Sequence, residues 1–192
     1  MAPNYCTIGD IRDLTDDPDV GAGLLTLIIP AVSRGIDRHC HRQFYSITAA
    51  RLHDYNSEEP GLIRLKDDLL SLSSLTTTGG DEFDSTDFLF EPDRPPYGRL
   101  ILKPGRSLTY LDTYKQAITI TGSWGYSDLP PDEVTLVAKL WTLALYRQVD
   151  LIGIDSARIA GVSVQLPKLT AKMLPELSDW LKPFVRHSIG AI

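Results

Sequence analysis

The run Arg38-His39-Cys40-His41-Arg42 carries the most chemical potential in this chain, because imidazole and thiolate are preferred ligands of zinc. Its spacing works against a shared ion. On a helix His39 and His41 point about 200° apart, so at most one joins Cys40 or Asp37 on a common face, and no second Cys/His group lies elsewhere. His53-Asp54 offers an imidazole beside a carboxylate, the pairing used in general acid–base catalysis. Adjacent residues of a strand face opposite ways, and no serine or cysteine stands in a nucleophile-elbow context. Asp67-Asp68 and Asp81-Glu82-Phe83-Asp84 are acidic, yet lack the spacing and closing glutamate of a calcium loop. Neither GxGxxG nor GxxxxGK followed by Ser or Thr occurs, so no phosphate-cradling loop is indicated. The aromatics Phe83, Phe88, Phe90 and Tyr97 are not interleaved with basic residues, as a single-strand platform would require. These readings lead us to expect no catalytic residue, no metal ligand and no cofactor.

The elements that must position these residues follow from pattern and composition. Over 192 residues, 43% hydrophobic and 23% charged, the chain falls in the globular range, which excludes disordered, collagen-like and coiled-coil classes. Asp and Glu number 25 against 19 Lys and Arg, a net charge of −6, so the basic footprint of a phosphate-gripping protein is missing. Cys6 and Cys40 stand in no paired spacing, which indicates neither a disulfide framework nor a zinc ribbon and fits a reducing compartment. The start Met-Ala-Pro-Asn-Tyr lacks a signal pattern, and the longest apolar run, Leu27 to Val32, is too short to cross a bilayer. We expect no membrane partner.

Thr7 and Asp10 form a capping-box pattern that starts a short helix through Ile8, Ile11 and Leu14. Asp17-Pro18 then opens a long helix to about residue 43, with Ile28, Val32, Ile36 and Cys40 on its apolar stripe and a bend expected at Pro30. From Ser46 the period changes to two, with strands expected near 47–53, 61–66, 70–77, 86–90, 99–102 and 116–121, and with Gly122-Ser-Trp-Gly-Tyr126 read as a turn. Pro130-Pro131-Asp132-Glu133 starts a helix over 131–149 that buries Trp141 and Leu145. Residues 151–167 read as an extended arm with no hairpin partner nearby, so Ile159, Val162, Val164 and Leu166 expose an edge for a neighbouring subunit. A last helix, Pro175 to about Arg186, is expected to bury Leu177, Trp180, Leu181 and Phe184. The resulting fold class is α+β: a small helical bundle from residues 1–45 and 129–192, interrupted by an antiparallel β-rich insertion at 46–128.

Taken in order, several stretches resemble the head-tail connector (adaptor or head-completion) proteins of long-tailed bacteriophages. They are Thr7-Ile-Gly-Asp-Ile-Arg-Asp-Leu14, Ile36-Asp37-Arg38-His-Cys-His-Arg42-Gln-Phe44-Tyr45, Thr121-Gly-Ser-Trp-Gly-Tyr126 and Pro130-Pro-Asp-Glu-Val134. Gly161-Val-Ser-Val-Gln-Leu166, Leu174-Pro-Glu-Leu177 and Trp180-Leu-Lys-Pro-Phe184 complete the set. The resemblance implies a non-enzymatic, homo-oligomeric ring, twelve-fold like the portal, that sits below the portal protein. Such a ring extends the DNA channel without tight DNA binding and carries the next neck or tail-completion protein. It implies a place in the virion neck, after assembly in the host cytoplasm. The resembled proteins use the end of the chain to dock on the portal, which here assigns docking to Val185, Arg186, His187, Ile189 and Ile192. Two other classes stay open: another virion assembly protein such as a tail-completion factor, and a small metal-dependent hydrolase.

Overall fold

The computed structural model describes residues 3–18, 20–109, 114–149, 156–159, 162–165 and 175–186, with the backbone alone for the strands within 156–165. Its contacts divide the chain into two compact units, Met1–His41 with Pro131–Ile192, and Arg42–Pro130.

The second unit is one antiparallel sheet. Its strands are β1 (Ile47–His53), β2 (Leu62–Thr77), β3 (Glu82–Phe83), β4 (Phe88–Glu91), β5 (Tyr97–Leu102) and β6 (Ile118–Trp124). They lie in the order β1-β6-β2-β5-β4, with β3 on the far end of β2. The 16-residue β2 pairs with β5 through Leu62–Arg64 and with β6 through Leu69–Thr77. Register shifts between Leu69 and Ser71, and between Leu72 and Ser74, insert extra residues. Leu69, Leu72 and Leu75 therefore all face inward at a spacing of three, because each bulge adds one residue to the period of two. This is why alternation alone breaks β2 into two shorter strands. The inward face packs Ile63, Leu65, Leu100, Ile118, Ile120 and Trp124 with those leucines into one core. The outward face of β1, β6 and β2 reads in register as Thr48–Ser123–Ser71, Ala50–Thr121–Ser74 and Leu52–Thr119–Thr76, without a charge.

The described residues of the first unit include four α-helices. In α1 (Ile8–Thr15), Thr7 accepts from the Asp10 N–H while Asp10 accepts from the Thr7 N–H, and Lys139 Nζ lies 2.7 Å from Asp10. α2 (Ala22–Cys40) runs unbroken through Pro30 and starts at Gly21, not at Asp17-Pro18. α3 (Asp132–Val149) packs on α2 where Gly35 leaves room for Trp141, since a Cβ at 35 would lie 2.5 Å from the indole. α4 (Pro175–Leu181) packs on α3 and gives way to a 3₁₀ turn at Lys182–Phe184, around Pro183. Ile28, Val32, Ile36, Trp141, Leu177 and Leu181 are buried, and Leu145 and Phe184 half-buried. Residues 156–165 are not a single arm: β7 (Ser156–Ile159) and β8 (Val162–Gln165) pair with each other as a hairpin. No helix among the described residues is long and apolar enough to cross a membrane.

Two expectations are thereby corrected. The chain is not a helical bundle carrying a β insertion; it is a mixed α/β protein in which the six-stranded antiparallel sheet, with its own continuous core, dominates. Periodicity had divided β2 and ended β6 early, which understated the sheet. Trp180 is not core: it is 49% exposed, because α4 turns only Leu177 and Leu181 inward. Leu181→Ala should therefore cost about 2–5 kcal/mol of unfolding free energy, while Trp180→Ala should cost well under half of that, as read by urea denaturation of the two variants.

Candidate functional site

The residues singled out at the end of α2 point apart. Cys40 is fully buried, His41 is exposed in a left-handed conformation (φ 53°) that caps the helix, and His39 Nε2 lies 3.3 Å from Ser178 Oγ on α4. Asp37 accepts from the Tyr5 hydroxyl and pairs with Arg34 at 2.9 Å; burial nevertheless pushes its carboxyl up, against the pull of those two partners. Cys6 is buried with its Sγ 3.6 Å from Thr142 Oγ1, and burial pushes that thiol up, away from the reactive thiolate. Among the described residues no group of three His, Cys, Asp or Glu is placed to hold a metal ion. His53 and Asp54 also separate: His53 turns into the sheet core, whereas Asp54 stays outside, accepting from the Gln116 N–H at 2.9 Å and lying 3.5 Å from Lys66 Nζ.

The structure instead gathers an aromatic and ionic cluster around Trp124, which strand periodicity does not reveal. Gly122-Ser-Trp is the end of β6 and not a turn, and its indole belongs to the sheet core. Trp124 Nε1 donates to the Ala49 carbonyl at 2.9 Å. Above the ring lies the Arg51 guanidinium, 4.7 Å from the centroid, and His53 stacks on it at 5.6 Å and 15°. Arg51, on β1, reaches past β6 to an ion pair with Asp67 on β2, so one side chain ties three strands together. Beside it Arg42 sits 4.9 Å over the Tyr126 ring and 3.5 Å from Asp68, with Phe44 edge-on to Tyr126 at 5.5 Å. Two glycines make this closeness possible. A Cβ at Gly122 would lie 2.2 Å from the Ser71 carbonyl oxygen, and one at Gly125 (φ +143°) 2.2 Å from that of Tyr45. The readable signal was glycine two residues before and one after a tryptophan on a strand.

The assigned docking and interface residues fall partly within the described chain. Val185 and Arg186 are half-buried, and the Arg186 N–H donates to the Cys40 carbonyl at 2.8 Å, which anchors the start of the tail to the end of α2. His187, Ile189, Ile192 and Leu166 lie outside the described residues. Ile159, Val162 and Val164 belong to the β7–β8 hairpin, Ile159 being the partner of Val162. No protein-family model matches this chain, and no curated protein matches it.

What the Trp124 cluster can do is structural, with a titratable member. His53 is 3% exposed and its Nε2 has no hydrogen-bond partner. Burial first, then the cations Lys66 and Arg51, hold its pKa at about 4, against the opposing carboxylates Asp67 and Asp54. An unfolded imidazole titrates near ~6.5, so between these values the unfolded chain takes up a proton that the folded chain does not. Folding stability is therefore highest above ~6.5 and falls as the pH drops toward 4, by up to about 3 kcal/mol from this residue. Denaturant unfolding of wild type and His53→Phe between pH 7 and 4.5 should show a shallower pH slope for the variant; equal slopes would contradict the assignment.

Proposed function

We propose that this chain is a structural subunit of a tailed-phage virion: a head-to-tail connector that assembles as a ring below the portal, extends the DNA channel and supports the next neck or tail protein. The resemblance of the ordered motifs to that family motivates the reading. The observation that carries it is that six of the twelve arginines are occupied within the chain. Arg34, Arg42, Arg51, Arg64, Arg99 and Arg106 each pair with a carboxylate of the chain itself, namely Asp37, Asp68, Asp67, Glu59, Glu91 and Asp87. In a chain of net charge −6, this engages six of the nineteen Lys and Arg side chains with the chain's own carboxylates. DNA has to slide through such a ring, and a lining that released counterions at each phosphate would hold it in place.

In this reading the tail from Val185 to Ile192 docks on the portal. The β7–β8 hairpin offers open edges to the neighbouring subunit, in the head-to-tail contact that closes a ring. The ring matches the twelve-fold portal, occupies the virion neck and carries no enzymatic activity.

Two measurements test this. The purified chain should bind duplex DNA more weakly than ~10⁻⁴ M at physiological salt; micromolar binding with a steep salt slope would reveal a basic surface and contradict the channel role. Incubated with DNA-filled, portal-bearing heads, the full chain should co-sediment with them, and a chain lacking residues 187–192 should not. Binding to isolated tails but not to heads would favour the tail-completion reading.

A further inference from the structure

Edge strands expose unpaired backbone N–H and C=O groups, and proteins that stay monomeric blunt them with lysine, proline, bulges or extreme shortness. The two edges of this sheet differ in that respect. β4 has four residues, ends in Glu91 and is followed at once by Pro92. β1 has seven residues in unbroken register with β6, contains no lysine or proline, and has no strand on its other side among the described residues. Its one arginine, Arg51, is already engaged with Asp67 and Trp124. Its outward side chains, Thr48, Ala50 and Leu52, are exposed, Leu52 at 53%, and continue into the uncharged rows of β6 and β2.

We propose that β1 pairs with β1 of a second copy of this chain, antiparallel about a two-fold axis at Ala50, joining two sheets into one. The contact concerns the free chain and does not rest on the connector reading. The strand is complementary to itself in this arrangement. Full overlap of Ile47–His53 with its copy puts Ala50 opposite Ala50, Thr48 opposite Leu52, Arg51 opposite Ala49 and His53 opposite Ile47. No like charges face each other, although two chains of net charge −6 repel over most of their surfaces. The uncharged rows of the outer face then run on across the axis, through Ala50 against Ala50 and Thr48 against Leu52. An isologous strand pair of this kind is the simplest closed dimer.

Sedimentation velocity of the full chain over a concentration series is the test. Wild type should show a concentration-dependent dimer. Ala50→Lys, at an exposed position, should keep the circular dichroism of wild type and weaken dimerisation at least tenfold, since it sets two lysines face to face; Ala50→Glu should do the same. An equimolar mixture of the two variants should recover a dimer. A wild type that stays monomeric at the highest soluble concentration, single variants that dimerise like wild type, or a mixture that fails to recover would each overturn the proposal. Ala50→Cys gives an independent reading, because Cys6 and Cys40 are both buried. Mild oxidation should link it into a covalent dimer while Thr48→Cys, which faces Leu52, stays unlinked; the opposite pattern would overturn the register.

Discussion

The indole of Trp124 constrains everything around it. It is fully buried, its N–H is held by the Ala49 carbonyl, and a guanidinium and an imidazole from the neighbouring strand pack on its ring. A buried cation–π contact of this kind contributes about 2 kcal/mol. It also requires backbone to pass closely on either side, which only glycine at 122 and 125 permits. Asp67 and Asp68, just before the bulges of β2, pair with the two arginines that lie on Trp124 and Tyr126. Strand order, bulge position and charge pairing thus meet at one residue.

That arrangement has a functional corollary. A chain of net charge −6 that pairs half of its arginines with its own carboxylates has fewer cations to offer phosphates, and along the outward rows Thr48–Ser123–Ser71, Ala50–Thr121–Ser74 and Leu52–Thr119–Thr76 it can approach another protein without burying an unpaired ion. Both features suit a structural subunit that meets copies of itself and other proteins while DNA passes by. They are features of placement. None depends on a reactive group: the cysteines are buried thiols and the imidazole with the largest displacement in pKa is sealed in the core.

Much of the local structure was legible in the residues. The Thr7/Asp10 cap, the apolar stripe of α2 and the proline-led start of α3 all rest on short-range rules that tertiary packing left alone. What was not legible depended on distance along the chain. Bulges at Leu69–Ser74 convert a period of two into a period of three, so β2 read as two strands and the sheet was undervalued. Ala160-Gly161, the two residues separating β7 from β8, passed as part of one extended arm although that spacing with a glycine fits a hairpin. Trp180 fits the apolar spacing of α4, yet the helix turns only Leu177 and Leu181 inward. The Trp124 cluster joins residues 51, 67 and 124 through strand order, which no local pattern encodes.

The proposed role, an assembled connector, is open to direct view by electron microscopy of the portal protein from the same genome mixed with an excess of this chain. A connector should add a ring of density coaxial with the portal, on its outward end, with an open central channel. Portal particles unchanged by the excess, or decorated at irregular positions without a ring, would contradict it.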